Sequence, residues 1–248
     1  MCLDYGYAEK HGQVTLRILI TAGDSKLSKI LCESLSTDHE VIITDRHAVS
    51  SDCEFFRSDL DDTDATNKLV KDIDVIVHSG QANLESTPTQ LLDYHMRCTY
   101  NLLWAASEEG VKRFIYLSSL DLMDSYDPDF AVTERWKPIA KPNPAILCCH
   151  LGEIICREFA RESKINTVIL RLGDIVFGDE PNVSTKGLFI EDASIAVSKA
   201  IDTKLSGWLD IFHIQSVVPN ARYLTGQPWW SADDVSPSFS LGYEPKNR

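Results

Sequence analysis

The residues best placed for chemistry begin at Thr21-Ala22-Gly23-Asp24-Ser25-Lys26-Leu27-Ser28, which joins the apolar run LRILIT to a helical pattern. A strand-to-helix turn of this kind offers backbone N–H groups and a helix N-terminus to a phosphate. A dinucleotide cradle puts glycine at three places: one for the tight turn, one for backbone approach to the pyrophosphate, one for close helix–strand contact. Here those places hold Ala22, Ser25 and Ser28, and the glycine stands one residue along, at Gly23. The replacements are small, so close contact survives, but Asp24 sets a carboxylate beside the phosphate path. On its own the turn reads equally well as a cradle, held through Gly23, Ser25 and the helix start at Lys26 and Leu27, and as a plain α/β turn. Asp45 ends the next apolar run, EVIITD. A carboxylate about 20 residues past the glycines accepts bonds from ribose hydroxyls; its other reading is a capping or loop acid. Arg46 follows and suits a 2′-phosphate. NAD and NADP both stay open, with Asp45 favouring NAD.

The elements that must position these groups are short apolar runs alternating with helical patterns. Strands are predicted at 16–21, 40–45, 53–59, 74–79, 112–119 and 166–172. Helices are predicted at 25–36, near 63–71, at 87–109 and at 147–163, with a polar, proline-bearing loop over 120–146. The strands are apolar throughout rather than alternating, as in a parallel sheet covered on both faces. The order predicts an α/β fold, a Rossmann-like doubly wound parallel sheet. Residues 1–14 read as a flexible arm and 15–248 as one domain, with a reduced C-terminal substrate lobe from about 173. That lobe reads as a helix in FIEDASIAVSKAID, a strand in GWLDIFHIQ, a short helix in NARYLTG and a surface tail.

Three further stretches, RSDLDD, DVIVHSG and NLLWAASEEGVKRFIYLSS, complete a resemblance to the extended short-chain dehydrogenases, the NAD-dependent epimerase/dehydratase group. It covers roughly residues 16–203. The resemblance implies an oxidoreductase fold binding NAD or NADP, with Ala22, Gly23 and Ser25 at the pyrophosphate and Asp59 and Leu60 bordering the adenine. It implies that His78, Ser79 and Gly80 end the fourth strand along the cofactor. Ser118 and Ser119 would sit beside the nicotinamide and a small-molecule substrate, with Leu172 near the same ring and Ser119 as the catalytic hydroxyl. It further implies a homodimer across the helices 87–109 and 147–163, although apolar faces at this spacing also read as core.

The chain departs from the family twice. The lobe stretch from Asp179 to Gly187 is short for a sugar-nucleotide pocket. The family's chemistry also uses a tyrosine four residues before a lysine, stacked on one helix face. The lysine lowers the tyrosine pKa so that its phenolate trades a proton with a substrate hydroxyl. Aligned through Gly152-Glu153, those two positions hold Ala145 and Cys149, and no tyrosine in the chain has a lysine four residues later. Cys148, Cys149 and His150 lie at the same place and read either as a nucleophilic thiol with a base or as packed thiols with a surface histidine. Adjacent helical residues point about 100° apart, which favours the second reading.

Composition bounds the rest. The 248 residues carry a net charge of −13, which repels phosphate backbones and argues against nucleic acid. No run reaches the 18 or so apolar residues of a membrane span. Seven cysteines with no CxxC spacing argue against a disulfide framework or a metal site. Scattered thiols of this kind fit a reducing cytoplasm.

Overall fold

The computed structural model describes residues 9–10, 13–61, 63–79, 87–178, 183–204, 207–221, 223 and 241–246. Strands β1 (Glu9–Lys10) and β2 (Gln13–Val14) form a short antiparallel pair inside the segment expected to be a loose arm. The chain then runs β3 (Arg17–Ile20), α1 (Lys26–Leu35), β4 (Glu40–Asp45), β5 (Glu54–Arg57), α2 (Thr63–Val70) and β6 (Val75–Ser79). Next come α3 (Pro88–Leu92), a π-helical turn (Asp93–Cys98), α4 (Thr99–Glu108), β7 (Arg113–Ser119) and a 3₁₀ turn (Leu120–Met123). Helix α5 (Pro144–Arg161), β8 (Asn166–Leu172), β9 (Asp174–Val176), β10 (Gly187–Phe189), α6 (Ile190–Asp202) and β11 (Leu209–Ile214) complete it.

Strands β11-β8-β7-β6-β3-β4-β5 lie side by side in that order, all parallel. The order reverses between β3 and β6, so the crevice at the carboxyl ends of these two strands is the place where such sheets bind ligands. Alternate strand residues feed two cores. Ile18, Ile20, Val75, Val77, Ile115 and Leu117 pack with α1 and α6, whereas Leu19, Ile76, Phe114 and Tyr116 pack with α4 and α5. That two-sided burial is why the strand sequences are apolar throughout. The small lobe holds β9 and β10, paired in parallel, with α6 entered directly from β10.

Several boundaries differ from expectation for local reasons. The single helix expected at 87–109 contains the π-helical turn, which sets Tyr94 and His95 beside the end of β6: the rings of His78 and Tyr94 lie 5.5 Å apart. Helix α5 starts earlier than expected because Asn143 caps it, its Oδ1 accepting from the Ala145 N–H, and Pro144 takes the first helical position. The short helix expected in NARYLTG lies mostly outside the described residues; within it Tyr223 forms an isolated parallel bridge with Val132. The cysteine expectation needs correction. Cys32 and Cys53 are joined in a disulfide, because α1 and the residue before β5 meet on one face of the sheet. Spacing along the chain carries no trace of that meeting.

Candidate functional site

The altered turn stays tight by other means. Ala22 takes φ +52°, the left-handed conformation that the first glycine serves in such turns. Gly23 donates its N–H to the Thr44 carbonyl, and a Cβ there would meet that oxygen at 3.3 Å. Ser25 caps α1 by accepting from the Ser28 N–H, and the Ser28 hydroxyl reaches back 3.0 Å to the Thr21 carbonyl. The N–H groups of Lys26 and Leu27 are then the first-turn donors that a helix start offers an anion. The Lys26 ammonium lies 5.1 Å from the centre of the Phe177 ring, linking the start of α1 to the loop after β9 across the crevice.

Thr21 is the hub behind this turn. Its Oγ1 lies 2.8 Å from His78 Nδ1, accepts the Ser79 N–H at 3.1 Å and accepts the Tyr94 hydroxyl at 3.3 Å. The far nitrogen of His78 meets Thr99 Oγ1 at 2.9 Å. The His78 imidazole is therefore buried behind the cradle rather than lining it, and burial, assisted by His95, lowers its pKa to about 3. Asp45 ends β4 beside the turn. Its carboxylate accepts the Asp24 N–H at 3.2 Å and the His47 N–H at 3.0 Å, which fixes it beside the turn. Arg46 follows on the exposed surface. Leu60 takes φ +57° with its side chain buried, and its carbonyl accepts from Asn101. Asp59 holds the same turn through the Asp61 N–H. Gly80 lies outside the described residues.

The other end of the crevice lies where β7 and β8 finish, with Ser119 opposite Leu172 in the ladder. The hydroxyl of Ser118 points into the protein and donates to Glu153 at 2.8 Å. Glu153 also takes both arms of the Arg171 guanidinium at 2.8 Å, and both side chains are buried. Ser119 is partly exposed, and its Oγ accepts the Asp121 N–H at the start of the 3₁₀ turn. Leu172 is buried in the apolar core.

Ala145, Cys149 and Glu153 succeed each other at helical spacing, so they share one face of α5. Glu153 reaches β7, and Gly152 lets the helix approach that strand, since a Cβ there would overlap the Tyr116 hydroxyl. Cys149 lies buried in an apolar cluster with Leu120, Met123, Val132 and Tyr223. Burial, with Glu153 adding to it, pushes its thiol up to about 12. Burial raises the Cys148 thiol as well, so neither is a poised nucleophile.

The lysine that does stand at this end is Lys186, just before β10. It pairs with Asp121 and with Asp124 at 2.7 Å, and Asp174 lies 3.6 Å away. Tyr223 donates its hydroxyl to Asp124. These partners raise the Lys186 pKa against the opposing effect of burial, so it stays charged. Sequence reasoning missed this cluster, which converges from four separate segments. It also missed the Glu153–Arg171 pair, for which a charged residue inside the apolar run of β8 was the available signal. One group of described residues has metal-ligand spacing, Asp61, Asp93 and Cys98, and Arg97 already pairs with both carboxylates.

A parallel sheet in this order, with its first strand running through a tight turn into a capped helix, defines a Rossmann-like α/β class of protein. The profile of the NAD dependent epimerase/dehydratase family matches residues 18–200, and the chain belongs to that family. Among relatives, uronate dehydrogenase of Pseudomonas putida is 29% identical over 91% of this chain and 94% of its own. An uncharacterized Bacillus subtilis protein, YtbQ, is 24% identical over 93% and 94%. The fold is similar to the crystal structure of Agrobacterium tumefaciens uronate dehydrogenase in a tyrosine-to-alanine mutant complexed with NAD. That match has a TM-score of 0.80 and 21% identity over 94% of this chain and 86% of that one. Among the described residues no helix is long and apolar enough to cross a membrane.

Proposed function

We propose that this chain binds a nicotinamide dinucleotide, NAD in preference to NADP, and holds it without the family's proton-transfer chemistry. The carrying observation is on α5: the face that reaches the end of β7 presents Ala145 and Cys149 where a tyrosine and a lysine are needed. Ala145 has no ionisable group and Cys149 is a buried neutral thiol. Lys186 is no substitute, because its ammonium is committed to aspartates. Ser119 alone orients an oxygen but supplies no proton at neutral pH.

Binding is a separate matter from turnover. In this reading Ala22, Gly23, Ser25, Lys26 and Leu27 take the pyrophosphate, Asp45 and Arg46 the adenosine ribose, and Asp59 and Leu60 the adenine. Ser79, Gly80 and Ser119 border the nicotinamide end, with the buried side chains of His78, Ser118 and Leu172 supporting it from behind. The two bonds that fix Asp45 favour ribose hydroxyls over a 2′-phosphate. When bound, the dinucleotide is a hydride carrier. That a tyrosine-to-alanine mutant of a similarly folded enzyme is complexed with NAD supports retention of the ligand without a tyrosine. The function that fits is a cytoplasmic nicotinamide sensor or binding subunit.

A second copy of the chain is the proposed partner. Leu92, Met96, Tyr100 and Trp104 recur every four residues along α3, the π turn and α4, and are 37–47% exposed. Ile154 on α5 adds to the exposed apolar surface.

The test is turnover. Wild-type protein with NAD is assayed against D-glucuronate, D-galacturonate and the parent aldoses, beside the Ala145→Tyr/Cys149→Lys double variant. No reduction of NAD by the wild type, with activity in the double variant on at least one sugar, is the expected result. Wild-type turnover on any of them overturns the non-catalytic reading.

A further inference from the structure

Cys32 and Cys53 lie at the adenosine edge of the proposed site. Their Cα atoms are 6.3 Å apart across a sequence separation of 21, and the stretch they enclose contains β4, Asp45 and Arg46. Parallel neighbours such as β4 and β5 are usually joined through a crossover helix. The connection 46–53 has none. Val49 rests against the apolar core, the His47 N–H reaches Asp45, Arg57 Nε donates to the Arg46 carbonyl at 2.9 Å, and the far end of the connection is held to α1 by the Cys53 bond and the Ser51–Cys32 contact. The bond therefore fastens the segment that follows Asp45 to the helix whose start forms the phosphate turn.

The surroundings suit a bond that opens and closes. Cys53 is partly exposed, between exposed Asp52 and Glu54, whereas Cys32 is buried. The Ser36 hydroxyl lies 3.2 Å from the Cys53 sulfur, and the Ser51 hydroxyl 3.4 Å from the Cys32 sulfur. Ser51 accepts the Cys53 N–H and turns its own proton toward the Cys32 sulfur, where a thiolate gains a donor, whereas the Ser36 proton goes to the Cys32 carbonyl. The other described cysteines, Cys98, Cys148, Cys149 and Cys156, are buried thiols with raised pKa values.

We propose that Cys32–Cys53 is a reversible thiol–disulfide site whose oxidation state sets the affinity for the adenosine half of the dinucleotide. The inference rests on the dinucleotide-binding reading above. The reactant is a dithiol. Its thiolate bonds to the accessible Cys53 sulfur, and the Cys32 sulfur leaves with the electron pair toward the Ser51 hydroxyl and takes up a proton. The reductant's second thiol then displaces Cys53, which is also protonated. Two electrons and two protons pass to the protein, and the dithiol ends as a disulfide.

The experiment uses the full chain, before and after dithiothreitol, with two readouts. Alkylation of the denatured protein with N-ethylmaleimide, counted by mass, is expected to rise by two on reduction. NADH titration followed by fluorescence is expected to show about fivefold weaker binding after reduction, as the binding-competent loop becomes less populated. The Cys53→Ser variant is expected to match the reduced protein and to ignore dithiothreitol. An alkylation count that reduction leaves unchanged overturns the proposal, as does an NADH affinity that ignores it. Absence of NADH binding in both states sinks the binding reading and takes this proposal with it, whereas binding that ignores reductant sinks this proposal alone.

Discussion

Thr21 Oγ1 and His78 Nδ1 lie 2.8 Å apart, joining the turn at the end of β3 to the end of β6. The contact bridges the two strands between which the sheet order reverses. It makes the cradle depend on a histidine kept neutral by burial, whose pKa falls to about 3. Burial likewise lowers His95 to about 4 and His213 to about 3.

A pH dependence follows with a definite sign. These histidines have folded pKa values below the ordinary 6.5, so the unfolded chain binds more protons between about 6.5 and about 3. Their contribution is fully present above pH 6.5 and is lost progressively as pH falls toward 3. The melting temperature should drop between pH 7 and pH 5, and the His78→Asn variant should show a shallower drop. An equal slope in both proteins would remove His78 from the explanation.

The left-handed Ala22 predicts an unusual gain. An alanine at positive φ costs about 1 kcal/mol relative to glycine. Ala22→Gly should therefore raise stability by about that amount, read as a melting temperature higher by about 2–4 °C. A lower melting temperature would mean that the turn does not hold φ +52° in solution.

Removing one member of the buried pair on β8 and α5 should be severe. Glu153→Gln leaves Arg171 charged and buried, at a cost of about 3–5 kcal/mol in chemical denaturation. It also weakens the acceptor of the Ser118 hydroxyl. A loss below about 1 kcal/mol would show the pair to be solvated.

The exposed row on α3 and α4 predicts a self-associating face. Trp104→Glu is expected to convert a dimer into a monomer by sedimentation, with the melting temperature little changed because Trp104 lies largely outside the core. A wild-type monomer at micromolar concentration would contradict the proposed partner.

Much of the architecture was legible because period and burial agree. EVIITD and NTVILRL form strands with the expected bounds, since their continuous apolar character reflects cores on both faces of the sheet. The family was legible in the motifs at Asp59-Leu60, His78-Ser79 and Ser118-Ser119. The π turn was not, because Asp93–Cys98 keeps an ordinary helical pattern and only the dihedral path widens. The start of α5 was available in Asn143-Pro144, a cap followed by a first-turn proline, but was obscured by the proline-bearing loop before it. The Lys186 cluster and the Cys32–Cys53 bond depend on segments far apart in the chain, and spacing carries no signal for either.

The placement of the ligand can be challenged at one carboxylate. Asp45→Ala removes the acceptor of the Asp24 and His47 N–H groups and the partner proposed for the ribose. It should weaken NADH binding about tenfold. Unchanged affinity would move the adenosine away from β4.

The most direct measurement is the titration of the wild-type chain with NADH, followed by nucleotide fluorescence. Saturable binding at micromolar concentrations, tighter for NADH than for NADPH, is the predicted result. No saturation at about 1 mM of either nucleotide, an affinity too weak for a built cradle, would contradict dinucleotide binding by this fold.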